Sequence, residues 1–97
     1  MMDLAFREQA RADLRNAMAW FRDQRDGTEA RSEEAFDREL TFIRQYPFGY
    51  QLRRSPYRFA MVERFKYFII YAVVKDVLVI HRVRHPAARD RQCIKSR

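Results

Sequence analysis

From Phe65 to Val74 the chain is apolar or aromatic at every position but Lys66. A run that is apolar on both sides of a two-residue repeat belongs to a strand buried on both faces, with neighbours on either side. The neighbours are close at hand. Tyr57 to Glu63 alternates, with Tyr57, Phe59 and Met61 on one side and Arg58, Ala60 and Val62 on the other. Beyond Lys75-Asp76, a tight hairpin link without the glycine of the strongest turns, Val77 to His85 returns. Strict alternation puts Val77, Val79, His81, Val83 and His85 on one face and Leu78, Ile80, Arg82 and Arg84 on the other. Three consecutive strands are therefore predicted, and their sheet needs a cover.

The first half of the chain supplies that cover. Met1 to Phe6 reads as a brief strand. Ala10, Leu14, Ala17, Met18 and Phe21 then recur at helical spacing, and Gly27 is placed to close this helix. Thr28 or Ser32 can cap a second helix whose early Glu29, Glu33 and Glu34 suit its positive end. Its stripe is Ala35 or Phe36, Leu40, Ile43 and Tyr46, and Pro47 stops it. A connector holding Arg53 and Arg54 leads into the strands. The order is β-α-α-β-β-β: an α+β domain with a helical hairpin on one face of a small, mostly antiparallel sheet. Ninety-seven residues make one such domain, 1–97, with a basic tail over 87–97 that reads as a short helix or a mobile end.

Charge divides the chain. Residues 49–97 hold 12 Lys/Arg against 3 Asp/Glu, a net of +9, whereas residues 1–48 hold 8 against 10, a net of −2. Such a positive half attracts nucleic acid, phosphate or an acidic protein. The single Cys93 has no partner for an internal disulfide, no signal-peptide pattern opens the chain, and no apolar run approaches the ~20 residues of a membrane span. A cytoplasmic protein with no membrane partner is expected. With two glycines there is no Gly-rich phosphate loop, so no cofactor is expected. A metal site through His81 and His85 is not expected either, because four strand residues separate their Cα atoms by about 13 Å.

Several residues together resemble the RelE/ParE toxin superfamily. They are Ala10, Asp13 and Leu14 in an A-x-x-D-L pattern, the Tyr46-Pro47 helix end, and the arginine-bearing connector. Phe65, Tyr67, Ile69 and Tyr71 follow in an F-x-Y-x-I-x-Y pattern, then Ile80, Arg82, Val83, His85, Arg89 and Asp90 in the final strand and beyond. The resemblance spans nearly the whole chain and implies the toxin of a type II toxin-antitoxin pair, held inactive by an acidic antitoxin. RelE-like members resemble ribonucleases that cut messenger RNA on the ribosome; ParE-like members are associated with poisoning DNA gyrase and lack the nuclease residues. RelE-like chains usually carry an arginine directly after the aromatic residue of the central strand, where this chain has Phe68. The ParE-like branch therefore fits better.

Cleavage through a ribose 2′-hydroxyl needs a base, an acid and a cation against the transition-state charge. The catalytic candidates of a nuclease are His81, His85, Arg82, Arg84 and Glu63. Nucleic acid or a target protein would meet Arg58, Arg64, Arg82, Arg84, His85 and Arg89, and the antitoxin would meet Trp20, Phe21, Phe42, Arg53 and Arg54. The alternative outside the toxin classes is a non-toxic basic nucleic-acid-binding module.

Overall fold

A computed structural model describes residues 2–24 and 27–85. Its elements are β1 (Asp3–Phe6), α1 (Glu8–Arg22), α2 (Thr28–Gln45), β2 (Gln51–Arg54), β3 (Tyr57–Val62), β4 (Tyr67–Val74) and β5 (Val77–Arg84). The sheet runs β1-β5-β4-β3-β2, with β1 parallel to β5 and every other pair antiparallel. The α+β architecture is as expected, with one strand more. The connector holding Arg53 and Arg54 is β2, the edge of the sheet beside β3.

The doubly apolar run is the central strand, and its alternate residues go to the two faces. Tyr67, Ile69 and Tyr71 are fully buried under the helices, together with Leu78 and Ile80 of β5. Ala10, Ala17 and Phe21 of α1 and Phe36, Leu40 and Ile43 of α2 close over them. Both central tyrosines carry their hydroxyls to backbone oxygens on the α2 side. Tyr67 donates to Ser32 O at 3.2 Å and Tyr71 to Pro47 O at 2.6 Å. Burial, the leading cause, pushes each phenol up to about 12, so both remain donors at any physiological pH. The Tyr71 bond also fixes where the chain leaves α2, which gives the Tyr46-Pro47 helix end a physical role.

Local expectations change in four places. Gly27 does not close α1, which ends at Arg22 with Asp23 as its cap; it precedes α2 with φ +80, a left-handed conformation that glycine adopts at little cost. Thr28 is the first residue of α2 and Ser32 lies fully buried inside it, so neither is its cap. Tyr46 falls outside the stripe and is 64% exposed. Phe65 lies in the β3–β4 turn, not in β4. The hairpin at Lys75 and Asp76 is as expected, and both residues have positive φ, 48 and 65, as a twist-matched two-residue turn requires.

The main departure is a bulge in β5. Tyr71 registers with Ile80 and Ile70 with Arg82, so His81 is the extra residue. Beyond it the alternation is inverted, since an extra residue moves every following side chain to the other face. Val83 and His85 thereby join the helix side, whereas His81 stays on the open face; the shared face expected for the two histidines is wrong.

Asp13 holds this bulge. β1 covers β5 only from Val77 to Ile80, where Arg7 N donates to Ile80 O at 3.0 Å. The chain then turns into α1, leaving the next stretch of β5 edge uncovered. Asp13, one turn into α1 and only 7% exposed, fills that gap. Its Oδ2 accepts from Arg82 Nε at 2.7 Å and from Val83 N at 3.0 Å, and its Oδ1 accepts from the second guanidinium nitrogen at 3.2 Å. Asp13→Ala should cost about 3 kcal/mol, because it strands a buried N–H and half an ion pair. Asp13→Asn, which keeps an acceptor, should cost less. Denaturant unfolding checks both, and a loss below about 1 kcal/mol for the alanine variant would contradict this role.

Candidate functional site on the open face of the sheet

The helices cover one face of the sheet. The other carries Tyr57 and Phe59 of β3, Phe68 and Ile70 of β4, and His81 and Arg84 of β5, placed there by the strand register. Phe59 and Phe68 meet edge to face, with centroids 6.1 Å apart. The guanidinium of Arg53, from the edge strand β2, lies 5.3 Å from the Phe59 centroid and 5.9 Å from that of Phe68. Arg84 registers with Phe68 and is exposed. Arginines of the edge strand β2 and of β5 thus stand beside Phe68 on this face. Two aromatic rings flanked by arginines can hold an anion against a flat apolar surface.

His81 packs its ring on Tyr57 at 4.7 Å. Its Nδ1 is buried and has no hydrogen-bond partner among the described residues. Burial and then the charges of Arg7, Arg82 and Arg84 lower its pKa, so the imidazole is neutral near pH 7. His85 sits elsewhere. It is 8% exposed beneath the helices, with Trp20 at 4.7 Å, Phe21 at 4.9 Å and Tyr67 at 6.2 Å, and burial lowers its pKa too. The two imidazoles cannot serve one reacting group as acid and base.

Other candidates are engaged in the structure. Arg82 is bound to Asp13. Arg58 lies on the helix side, where it donates to Tyr50 O at 2.8 Å and stacks over Phe48 at 5.4 Å, clamping the loop from α2 to β2. Glu63 and Arg64 are exposed in the β3–β4 turn and line a groove of about 400 Å³ against α2, with Phe42 and Phe65. Arg89 lies outside the described residues. Of the residues expected to meet an antitoxin, Phe21 is 3% exposed in the core and cannot do so; Trp20 is half-buried beside it. Phe42, 48% exposed, and Arg53 and Arg54 on β2 are accessible. Sequence reasoning named Asp13 only within the A-x-x-D-L pattern and Arg58 only as a target contact, and it missed the structural role of each. An acid at position 13, between Ala10 and Ala17 in the apolar stripe, was the available signal for the first.

Among the described residues no three metal-ligating side chains cluster, and no helix is long and apolar enough to cross a membrane.

A helical hairpin on a mixed five-stranded sheet with an arginine-bearing edge defines a class of small α+β domains. This chain has the RelE/ParE toxin fold. It superposes on a chain of the chromosomal ParDE TA system from P. aeruginosa with a TM-score of 0.72 at 17% identity, covering 86% of this chain and 94% of that one. It is also similar to YafQ from E. coli strain BL21(DE3), with a TM-score of 0.63 at 19% identity over 92% of this chain and 98% of that one. A chain of the intact E. coli RelBE toxin-antitoxin complex gives 0.58 at 17% identity, over 86% and 94%. No family model and no curated protein matches the sequence.

The two histidines give stability a definite pH dependence. Their folded pKa values lie below the unfolded value, so the unfolded chain takes up protons first as pH falls. The stability that neutral imidazoles contribute is complete above about pH 6.5 and is lost as pH falls towards the folded values. The melting temperature should therefore drop between about pH 7.5 and about pH 5, and His85→Phe should flatten the drop. A variant whose profile still parallels that of the parent would contradict the aromatic enclosure of His85.

Proposed function

We propose that this chain is the toxin of a type II toxin-antitoxin pair. It arrests growth in the cytoplasm unless an acidic antitoxin neutralises it, and it acts ParE-like, by binding DNA gyrase rather than by cutting RNA. One observation carries the second half of this reading: the bulge separates His81 from His85 across the sheet, and Asp13 occupies Arg82. The two imidazoles that would have supplied acid and base are thereby set on opposite faces. The similarity to a chain of a ParDE TA system supports the same branch. An acidic antitoxin suits the charge of residues 49–97, and Arg53, Arg54 and Phe42 are exposed where it can reach them.

A RelE-like endoribonuclease is the second reading, favoured by Arg53 over Phe59 and Phe68. That arrangement offers stacking and phosphate contacts, with the neutral His81 on the same face. A non-toxic nucleic-acid-binding module is the third.

Induced expression of the chain alone should arrest growth, and purified protein should inhibit gyrase supercoiling while leaving ribosome-bound message intact. The double variant His81→Gln, Arg84→Gln should still arrest growth. Message cleavage that the double variant loses would replace this reading with the nuclease. Unimpaired growth would leave the binding module.

A further inference from the structure

The two edges of the sheet differ in kind. β2 carries Arg53 and Arg54 side by side and a shift in its register with β3. Adjacent like charges and an irregular ladder keep a strand edge from pairing with a copy of itself. β1, at the other edge, has neither. One bond sets the direction of its main-chain groups. Arg7 N donates to Ile80 O, and these groups alternate along a strand. Those of Asp3, Ala5 and Arg7 therefore point at β5, whereas those of Leu4 and Phe6 point away from the sheet. Arg44 holds Met2 O at 2.9 and 3.1 Å, one residue before β1 begins. Among the described residues no hydrogen bond reaches the outward groups of Leu4 or Phe6.

The side chains of this segment complement their own reverse. Leu4 and Phe6 register with the buried Leu78 and Ile80 and so lie on the helix side. Both are only partly covered and line the groove between α1 and α2. Asp3, Ala5 and Arg7 alternate with them onto the open face and are exposed. An acid and a base thus stand two residues either side of a small central Ala5, with Leu4 and Phe6 between.

We propose that β1 pairs antiparallel with β1 of a second copy of this chain, about a two-fold axis at Ala5, so that two sheets become one. In that register Asp3 opposes the partner's Arg7 on the open face, and Leu4 opposes the partner's Phe6 on the helix side. Leu4 and Phe6 are the residues with outward main-chain groups, so each such pair exchanges two hydrogen bonds. Asp3 and Arg7 then meet at the closer, non-hydrogen-bonded positions, where cross-strand side chains interact best. Neighbouring registers fit worse. An axis at Asp3 opposes two carboxylates, one at Leu4 leaves Asp3 opposite Ala5, and one at Phe6 sets Leu4 against Glu8. Charge also selects the occupant, because a wholly acidic segment would suit Arg7 and repel Asp3. Assembly stops at two copies, since the outer edges are then the arginine-bearing β2 strands. The paired edge is short, so association is expected to be weak. The inference does not depend on the toxin reading.

The test is sedimentation of the full chain over a concentration series, from a dilute monomer towards a dimer. Asp3→Arg and Arg7→Asp, both at exposed positions, should each weaken self-association by at least about tenfold, because symmetry turns two opposed pairs repulsive at once. Mixed in equal amounts, the two variants should associate with each other within about threefold of the parent, since every opposed pair is again of opposite charge. Amide hydrogen exchange of the parent adds a readout that needs no variant. At high concentration the Leu4 and Phe6 amides should slow, while those of Ala5 and Arg7, already directed at β5, should not change. A chain that stays monomeric at every concentration, or a mixture that associates no better than either variant alone, would overturn the proposal. So would concentration-dependent protection that maps to residues 51–54. Slow exchange at Leu4 and Phe6 that is independent of concentration would also overturn it, by placing another segment of the same chain on this edge.

Discussion

The carboxylate of Asp13 is the contact on which the arrangement of this molecule turns. It sits on the buried face of α1 and reaches the one stretch of β5 that β1 leaves open, where it binds the Val83 amide and the Arg82 guanidinium together. A buried carboxylate is costly unless its oxygens are satisfied, and here both are. In return the helix is locked across the edge of the sheet. The extra residue at His81 is held in place, and everything beyond it changes face.

The placing of the two histidines follows from that inversion. Had β5 alternated without interruption, both histidines would have faced the open side, with Arg82 and Arg84 turned towards the helices. Instead, His85 goes under the helices, between Trp20 and Phe21, and Arg82 is bound to Asp13. The open face keeps aromatic rings, one neutral imidazole and cations contributed by Arg53 and Arg84. Stacking surface and positive charge lie side by side there. The groups that would break a bond are not gathered there among the described residues.

The order of elements was legible because each helix and strand declares its period in the sequence. The Phe65–Val74 run could only be central, and the stripes of the two helices named most of the core in advance. What escaped notice depends on contacts between distant parts of the chain. β2 lacks alternation, carries two adjacent arginines and precedes Pro56, so it reads as a connector; it becomes a strand through pairing with β3. The bulge depends on Asp13, 69 positions before Arg82, and no local pattern reveals it. Phe21 is named beside Trp20 as an antitoxin contact, although its place in the α1 stripe already points to the core. The site residues were thus named well as types and poorly as neighbours.

The central claim is that the two histidines lie on opposite faces of one strand. Proton–proton Overhauser contacts from the two imidazoles of the folded protein test it most directly. One ring should show contacts to Tyr57 and none to Trp20, and the other should show contacts to Trp20 and Phe21 and none to Tyr57. Contacts from both rings to a single set of aromatic residues would mean an uninterrupted strand. The two histidines would then share the open face.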